Sequence, residues 1–126
     1  MPRNNRGRST WATLEYVVLR CVDLERSRIF YEALGLDLVS EQHGTGARHY
    51  ACTLGDVVVE LYPTSLKQTS SVRLGLRVSN IGDAMDALKK IGADILRVDA
   101  GGSFAVVRDP DGHEIALRSA STADAT

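Results

Sequence analysis

The sequence predicts an α+β fold of two tandem βαβββ modules, whose strands form a cupped, barrel-like mixed sheet with the helices on the outside. The 126-residue chain is long enough for one compact domain and too short for two independent ones. The stretch that begins at Tyr16 repeats its order of apolar and polar positions from Arg73. A fixed repeat period indicates duplicated structural units. We therefore predict one domain at 14–118, with modules at 14–64 and 72–118.

Each repeat begins with a strand and a helix. Apolar residues alternate from Tyr16, which is typical of a strand. Asp23 is placed to cap the first helix, because its carboxylate can accept a backbone N–H of the first turn, and Asn80 takes the same place in the second repeat. Gly35 and Gly92 end the two helices, since glycine adopts the left-handed C′ conformation at little cost. The predicted buried stripes are Leu24, Ser27, Phe30, Tyr31 and Leu34 in the first helix, and Ile81, Ala84, Met85, Leu88 and Ile91 in the second.

A further strand and then a hairpin follow each helix. Gly55-Asp56 joins RHYACTL to VVVELY, and DPDG at 109–112 joins SFAVVR to HEIALR. The alignment slips by one residue here, which a one-residue difference in hairpin loop length explains, so Glu60 aligns with Ala116. A two-residue turn at Gly55-Asp56 brings His49 opposite Tyr62. His49 is therefore predicted to point to the sheet face that the helix does not cover.

The overall composition excludes several classes of partner. Fifteen basic residues against sixteen acidic ones give no electrostatic footprint for nucleic acid or membrane. Apolar runs fall far short of the roughly 20 residues of a membrane span, and the N-terminus has no apolar signal-peptide core. We expect a cytoplasmic protein with a disordered arm at 1–13 and a flexible tail at 119–126. Cys21 and Cys52 are predicted to be buried free thiols.

Side chains alternate between the two faces of a strand, so each strand has a helix-covered side and an inner side. The predicted inner residues are Tyr16, Arg20, His49, Glu60 and Tyr62 from the first module, and Arg73, Arg77, Glu114 and Arg118 from the second. Arginine outnumbers glutamate on this inner surface, and its planar fork binds carboxylates or phosphates. We therefore predict a cleft for a small anionic molecule, with Tyr16 and Tyr62 as flat walls. In the alternative, two arginines pair with the glutamates and the others reach solvent.

The order DLERSRIFYEALGL, then GDVVVELY, then FAVVRDPDGHEIAL resembles the vicinal oxygen chelate superfamily. This superfamily includes glyoxalase I, bleomycin resistance proteins, fosfomycin-modifying enzymes and extradiol dioxygenases. The resemblance extends over nearly the whole chain and implies paired modules that form a cupped sheet, usually within a dimer. Sheet edges left open by so small a domain also favour self-association. We expect a homodimer.

The resemblance further implies four inward positions for a divalent metal ion, which fall here on Tyr16, Glu60, Arg73 and Ala116. Only Glu60 matches the residue that such proteins commonly have at its position. Ala116 offers no donor atom, and Arg73 places a permanent cation where the metal charge would be. We therefore expect no metal cofactor. The alternative is a divalent metal site rebuilt from His49, Glu60, Glu114 and Tyr16.

Three functions remain as hypotheses. A binding protein of the bleomycin-resistance type, which sequesters a small anionic organic molecule, needs no metal. Metal-free acid–base catalysis would use Glu60 or His49 as the base and Arg73 to stabilise an enolate. Lyase, isomerase or dioxygenase chemistry like that of the metal-dependent members needs the ion to polarise vicinal oxygens. A structural ion pair between Glu60 and Arg73 is the alternative to a catalytic role for these two residues.

Overall fold

The computed structural model describes residues 6–9, 11–67 and 71–120 of the chain. Residues 1–5 and 10 of the predicted arm and residues 121–126 of the predicted tail lie outside the described residues. The last strand includes Ser119, which the sequence had assigned to the tail. The reason is backbone pairing, because Ser119 is the register partner of Val78 and its N–H donates to the Ser103 carbonyl oxygen at 3.2 Å. Its hydroxyl also accepts the backbone N–H of Ile81 at 2.9 Å, which ties the strand end to the start of the second helix.

The elements follow the predicted βαβββ order twice. The first module consists of β1 (Tyr16–Cys21), α1 (Leu24–Ala33), β2 (Val39–Glu41), β3 (His49–Leu54) and β4 (Val57–Pro63). The second consists of β5 (Arg73–Val78), α2 (Ile81–Lys90), β6 (Asp94–Val98), β7 (Phe104–Arg108) and β8 (Glu114–Ser119). No helix among the described residues has the length and apolar character of a membrane span.

Each module forms its own four-stranded sheet, with the orders β1-β4-β3-β2 and β5-β8-β7-β6. In both sheets the first strand pairs in parallel with the last, and the other pairs are antiparallel. Val18 lies opposite Glu60, and its repeat equivalent Gly75 lies opposite Ala116. The predicted equivalence of Glu60 and Ala116 is therefore confirmed, as is the tandem α+β fold.

The predicted helix ends are also confirmed. Asp23 accepts the backbone N–H of Arg26 at 3.0 Å, and Asn80 accepts that of Asp83 at 2.9 Å. Gly35, the residue after the end of α1, has a φ of 100°. A side chain at this φ would be strained, which explains why glycine ends the helix.

The helix-covered faces of both sheets share one hydrophobic core. Phe30 of α1 and Leu88 of α2 are both buried in it, together with Leu61 and Ile115 of the central strands. Cys21 is buried in the same core, and both cysteines are free. The other face of each sheet points away from this core and carries the predicted inner residues. The two sheets remain separate and are not closed into one barrel.

Candidate functional site

A row of stacked side chains crosses the inner face of the first sheet. The rings of His49 and Tyr62 lie parallel within 11°, with centroids 4.1 Å apart. The Arg20 guanidinium lies 5.4 Å from the centroid of the same tyrosine ring. Arg20 and Tyr62 are register partners on β1 and β4. The predicted pairing of His49 with Tyr62 is confirmed, and Arg20 extends the row by a cation–π contact.

His49 is the most buried polar group of this face, with a side-chain exposure of 1%. Its Nδ1 lies 3.1 Å from the carbonyl oxygen of Ala47. Its Nε2 lies 3.3 Å from Glu41 Oε1 and 3.4 Å from Glu60 Oε2. The two residues that the sequence proposed as catalytic, Glu60 and His49, are therefore direct neighbours.

Two members of this cluster were missed by the sequence analysis. Glu41 is the register partner of His49 on β2, and His43 follows it in the loop to β3. His43 Nε2 lies 3.6 Å from Glu41 Oε1, and its ring centroid lies 5.3 Å from that of His49. The signal in the sequence was the E-x-H pattern formed by Glu41 and His43, which lies shortly before His49 in the chain. It becomes visible only once β2 is known to pair with β3.

Arg73 and Glu114 form an ion pair on the inner face of the second sheet. Glu114 Oε1 accepts from Arg73 Nε at 2.7 Å and lies 2.6 Å from Nη2. The pair forms because these residues are register partners on adjacent strands. The sequence analysis considered a structural ion pair between Glu60 and Arg73 as one alternative. This pair is not found among the described residues, where Glu60 contacts His49 instead.

Two arginines lie side by side on adjacent strands at the other end of the second sheet. Arg77 and Arg118 are register partners on β5 and β8, and both are exposed. None of the ion pairs within the described part of the chain includes Arg20, Arg77 or Arg118. Phe104 lies opposite Arg118 on β7. Like charges in directly opposed positions destabilise a sheet. A bound anion would reduce the repulsion between these two arginines.

A cavity of about 980 Å³ opens beside α1 rather than between the two inner faces. Its wall includes the Arg73–Glu114 pair and a second, longer pair between Arg108 and Asp94, whose closest N···O distance is 3.8 Å. The sequence had predicted a cleft enclosed by the inner faces. In a single chain the sheets are not closed on each other, and Tyr16, predicted as a wall of that cleft, is 56% exposed.

The loop between β7 and β8, residues 109–113, ties the second module to the first. Asp111 is buried, and its carboxylate accepts the backbone N–H of Val22 at 2.8 Å and the hydroxyl of Ser27 at 3.2 Å. His113 Nε2 lies 3.4 Å from the carbonyl oxygen of Arg20. The DPDG sequence, which indicated only a turn, thus also joins the β1–α1 junction to the second hairpin.

Asp109 completes this connection. Its carboxylate accepts the hydroxyl of Tyr31 at 2.5 Å, and also the backbone N–H groups of Asp111 and His113 at 2.9 Å each. Burial raises the pKa of Asp109 above its ordinary value, although these hydrogen bonds act in the opposite direction. Burial likewise raises the pKa of Tyr31 well above its usual range, and the neighbouring Asp109 carboxylate adds to this effect. The hydrogen bond between these two buried groups therefore joins α1 to the second hairpin.

The four positions that the sequence resemblance implies for a metal ion hold few donor atoms here. Ala116 has no donor atom, and Arg73 is a cation already paired with Glu114. Tyr16 and Glu60 alone make a poor site for a divalent ion. The described residues place a different set together: one ligand atom each from Glu41, His43 and His49, all within 4.8 Å of one another.

Comparison with solved structures finds the same fold in proteins of several activities. Glyoxalase I of Leishmania major, described as trypanothione-dependent, is 21% identical over 86% of both chains, with a TM-score of 0.68. The fosfomycin resistance protein FosX of Mesorhizobium loti is 17% identical over 94% of this chain and 98% of its own, with a TM-score of 0.63. An antibiotic-binding protein from a Streptomyces species is 23% identical over 90% of this chain and 100% of its own, also with a TM-score of 0.63. A search of curated protein sequences finds no match.

Sequence comparison with protein-family models gives a direct assignment. The model described as Glyoxalase/Bleomycin resistance protein/Dioxygenase superfamily matches residues 13–117. This range includes both modules and every inner residue discussed above except Arg118. The chain therefore belongs to the glyoxalase/bleomycin resistance protein/dioxygenase superfamily.

Proposed function

We propose that the protein binds a small anionic organic molecule on its inner faces, without an ion at the four positions that the superfamily commonly uses. The observation that carries this proposal is the opposed pair Arg77 and Arg118, exposed and without a carboxylate partner among the described residues. Two cations held side by side repel each other, and an anion between them converts this repulsion into attraction.

The surrounding groups narrow the class of ligand. Arginine binds a carboxylate through two parallel hydrogen bonds, and a hydrogen bond to a charged group contributes about 1.5 to 3 kcal/mol. Phe104 lies opposite Arg118, and in the first sheet Tyr62 lies beside Arg20, the repeat equivalent of Arg77. The Phe104 ring offers an apolar surface next to the arginine pair, whereas the Tyr62 ring is already in contact with His49 and Arg20. A planar or aromatic acid matches this combination best.

Arg73 and Glu114 have a different role in this proposal. Each neutralises the other through contacts of 2.6 and 2.7 Å, so neither adds net charge to the inner surface. The anion site is therefore assigned to Arg20, Arg77 and Arg118. A binding function needs no catalytic metal, and a solved antibiotic-binding protein shares this fold.

A thermal-shift screen of matched pairs, each a planar carboxylic acid and its neutral amide, tests the proposal. The acids should stabilise the protein more than their amides, by about 2.7 kcal/mol at a concentration of 100 times Kd. Arg77→Ala and Arg118→Ala should each weaken acid binding by about 10- to 100-fold, as expected for one lost charged hydrogen bond. Lys90→Ala, which removes an exposed cation from α2, is the matched control and should bind as the wild type does. Equal stabilisation by acids and amides would refute the proposal.

We also propose that the protein is a homodimer. The inner faces are open in one chain, and exposed apolar residues lie on or near the edge strands β1 and β2: Leu14 is 64%, Tyr16 56% and Val39 58% exposed. A second chain would cover these edges and complete a cleft over the inner faces. Light scattering coupled to gel filtration should give twice the chain mass. A monomer mass at micromolar concentration would overturn the proposal.

We further propose a reducing, cytoplasmic location. Its support is that Cys21 and Cys52 are free and buried, whereas oxidising compartments favour paired cysteines. Fractionation of the native host, followed by immunoblotting, should recover the protein with cytoplasmic markers. Recovery with secreted or membrane markers would contradict this location.

A further inference from the structure

We propose that Glu41, His43, His49 and Glu60 form a zinc site on the inner face of the first sheet. This site is distinct from the four positions that the superfamily commonly uses, and it shares only Glu60 with them. The proposal does not depend on the anion site, and the two can fail separately. Imidazole nitrogens and carboxylate oxygens in a set of four are a ligand combination that zinc accepts in proteins.

The first argument is the spacing of the ligand atoms. Glu41 Oε1 lies 3.3 Å from His49 Nε2 and 3.6 Å from His43 Nε2. Glu60 Oε2 lies 3.4 Å from His49 Nε2. A tetrahedral zinc ion with bonds of about 2.0 to 2.1 Å needs ligand atoms about 3.3 to 3.4 Å apart. The ligand atoms of Glu41, His43 and His49 lie within 4.8 Å of one another, so small side-chain rotations bring these three around one ion. Glu60 contacts only His49 among them, so its carboxylate must also turn towards the ion to become the fourth ligand.

The second argument is the tautomer of His49. Its Nδ1 lies 3.1 Å from the Ala47 carbonyl oxygen, which can only accept a hydrogen bond, so Nδ1 carries the proton. In a neutral ring Nε2 then directs a lone pair towards Glu41 and Glu60, whose carboxylates are themselves acceptors. A cation between these groups converts three facing lone pairs into three ligand bonds. A backbone carbonyl that fixes Nδ1–H is also the usual outer partner of a metal-bound histidine.

The third argument is that the site is both rigid and accessible. His49 is 1% exposed and stacks on Tyr62 with a centroid distance of 4.1 Å, so its ring direction is fixed. His43 and Glu41 are 75% and 41% exposed, and they provide a path by which an ion can enter. The two carboxylates also supply the two negative charges that balance a divalent ion. This set is therefore more than a group of solvated surface residues.

Titration of the chelator-treated full chain with Zn²⁺, against a chromogenic zinc indicator, tests the proposal. We expect one ion per chain, with Mg²⁺ unable to compete because it prefers six oxygen ligands. His43→Ala should weaken zinc binding by at least 10-fold, since even outer partners of metal ligands change affinity 10- to 100-fold. Because His43 is 75% exposed, its replacement should leave the fold intact. Gln42→Ala, in the same loop, is the matched control and should bind zinc as the wild type does.

Cobalt provides a second readout of the same site. Co²⁺ in the wild type should show the intense visible absorption of tetrahedral coordination, and His43→Ala should lose it. Glu41→Gln should weaken zinc binding as well, whereas Arg118→Ala should leave it unchanged, which separates this site from the anion site. Absence of stoichiometric zinc binding would overturn the proposal. So would zinc affinity that is the same in the wild type, His43→Ala and Glu41→Gln.

Discussion

Replacement of Asp111 by alanine should destabilise the protein strongly, although this residue lies in a hairpin loop. The Asp111 carboxylate is buried and accepts hydrogen bonds from the Val22 N–H at 2.8 Å and the Ser27 hydroxyl at 3.2 Å. Hydrogen bonds to a charged group contribute about 1.5 to 3 kcal/mol each, and the substitution leaves both donors unpaired. The substitution also removes the free-energy cost of burying a charged carboxylate, so we use the lower value of about 1.5 kcal/mol for each hydrogen bond. We expect the free energy of unfolding to fall by about 3 kcal/mol.

This effect is large relative to the total of about 5 to 15 kcal/mol that holds a typical domain folded. It corresponds to a fall in Tm of about 8 to 16 °C for a chain of this size. Urea unfolding followed by circular dichroism measures the free energy, and a thermal scan measures Tm. Asp111→Asn should cost less, because its side-chain oxygen can still accept the Val22 N–H.

The matched control is Asp56→Ala in the first hairpin, whose aspartate is exposed. This substitution should change the free energy of unfolding by no more than about 0.5 kcal/mol. A double-mutant cycle of Asp111→Ala with Ser27→Ala should show a coupling of about 1 kcal/mol, because the residues share a hydrogen bond. If Asp111→Ala costs no more than Asp56→Ala, the loop does not tie the two modules together.

Three further predictions concern buried or stacked groups. Burial raises the pKa of Asp109 above 3.8 in the folded state, so its ionisation lowers the free energy of unfolding as the pH rises from about 3 towards 7. Asp109→Asn cannot ionise and should lack this loss. Urea unfolding across that pH range should therefore show the stability of the variant rising relative to that of the wild type. Burial raises the pKa of the Cys21 thiol to about 11, so a thiol reagent at pH 8 should label it only after unfolding, and rapid labelling of the native protein would contradict its burial. Tyr62→Ala should cost about 1 to 2.5 kcal/mol through its lost contacts with His49 and Arg20, whereas Tyr62→Phe, which keeps the ring, should cost less than about 0.5 kcal/mol by urea unfolding.

Much of the fold is predictable because its signals are local. The caps Asp23 and Asn80, the glycine at position 35 and the turn at Gly55-Asp56 each act within a few residues of the chain. Strand parity then assigns faces without any knowledge of tertiary contacts, and the turn length fixes the register. The contact between His49 and Tyr62 follows from these two facts alone.

Other parts of the candidate site depend on contacts that no local pattern encodes. β2 has only three residues, Val39–Glu41, too few for alternation to reveal its bounds or its partner strand, so Glu41 was missed. Asp111 was identified only as a turn residue, because the DPDG sequence is already accounted for by a turn. Its carboxylate also accepts a hydrogen bond from Ser27 of α1, 84 positions away in sequence. The partner of Arg73 is decided by register between β5 and β8, which places Glu114 closer than Glu60.

The most direct test of the proposed function is the substitution Arg118→Glu, measured for both stability and acid binding. A glutamate opposite Arg77 replaces repulsion with attraction, so the unliganded variant should be more stable than the wild type by about 0.5 to 1 kcal/mol in urea unfolding. The same variant should lose its preference for carboxylic acids over their amides in the thermal-shift screen. A gain in stability together with a loss of acid binding is the result we predict. A variant that still binds acids as the wild type does would contradict the assignment of this arginine pair as the anion site.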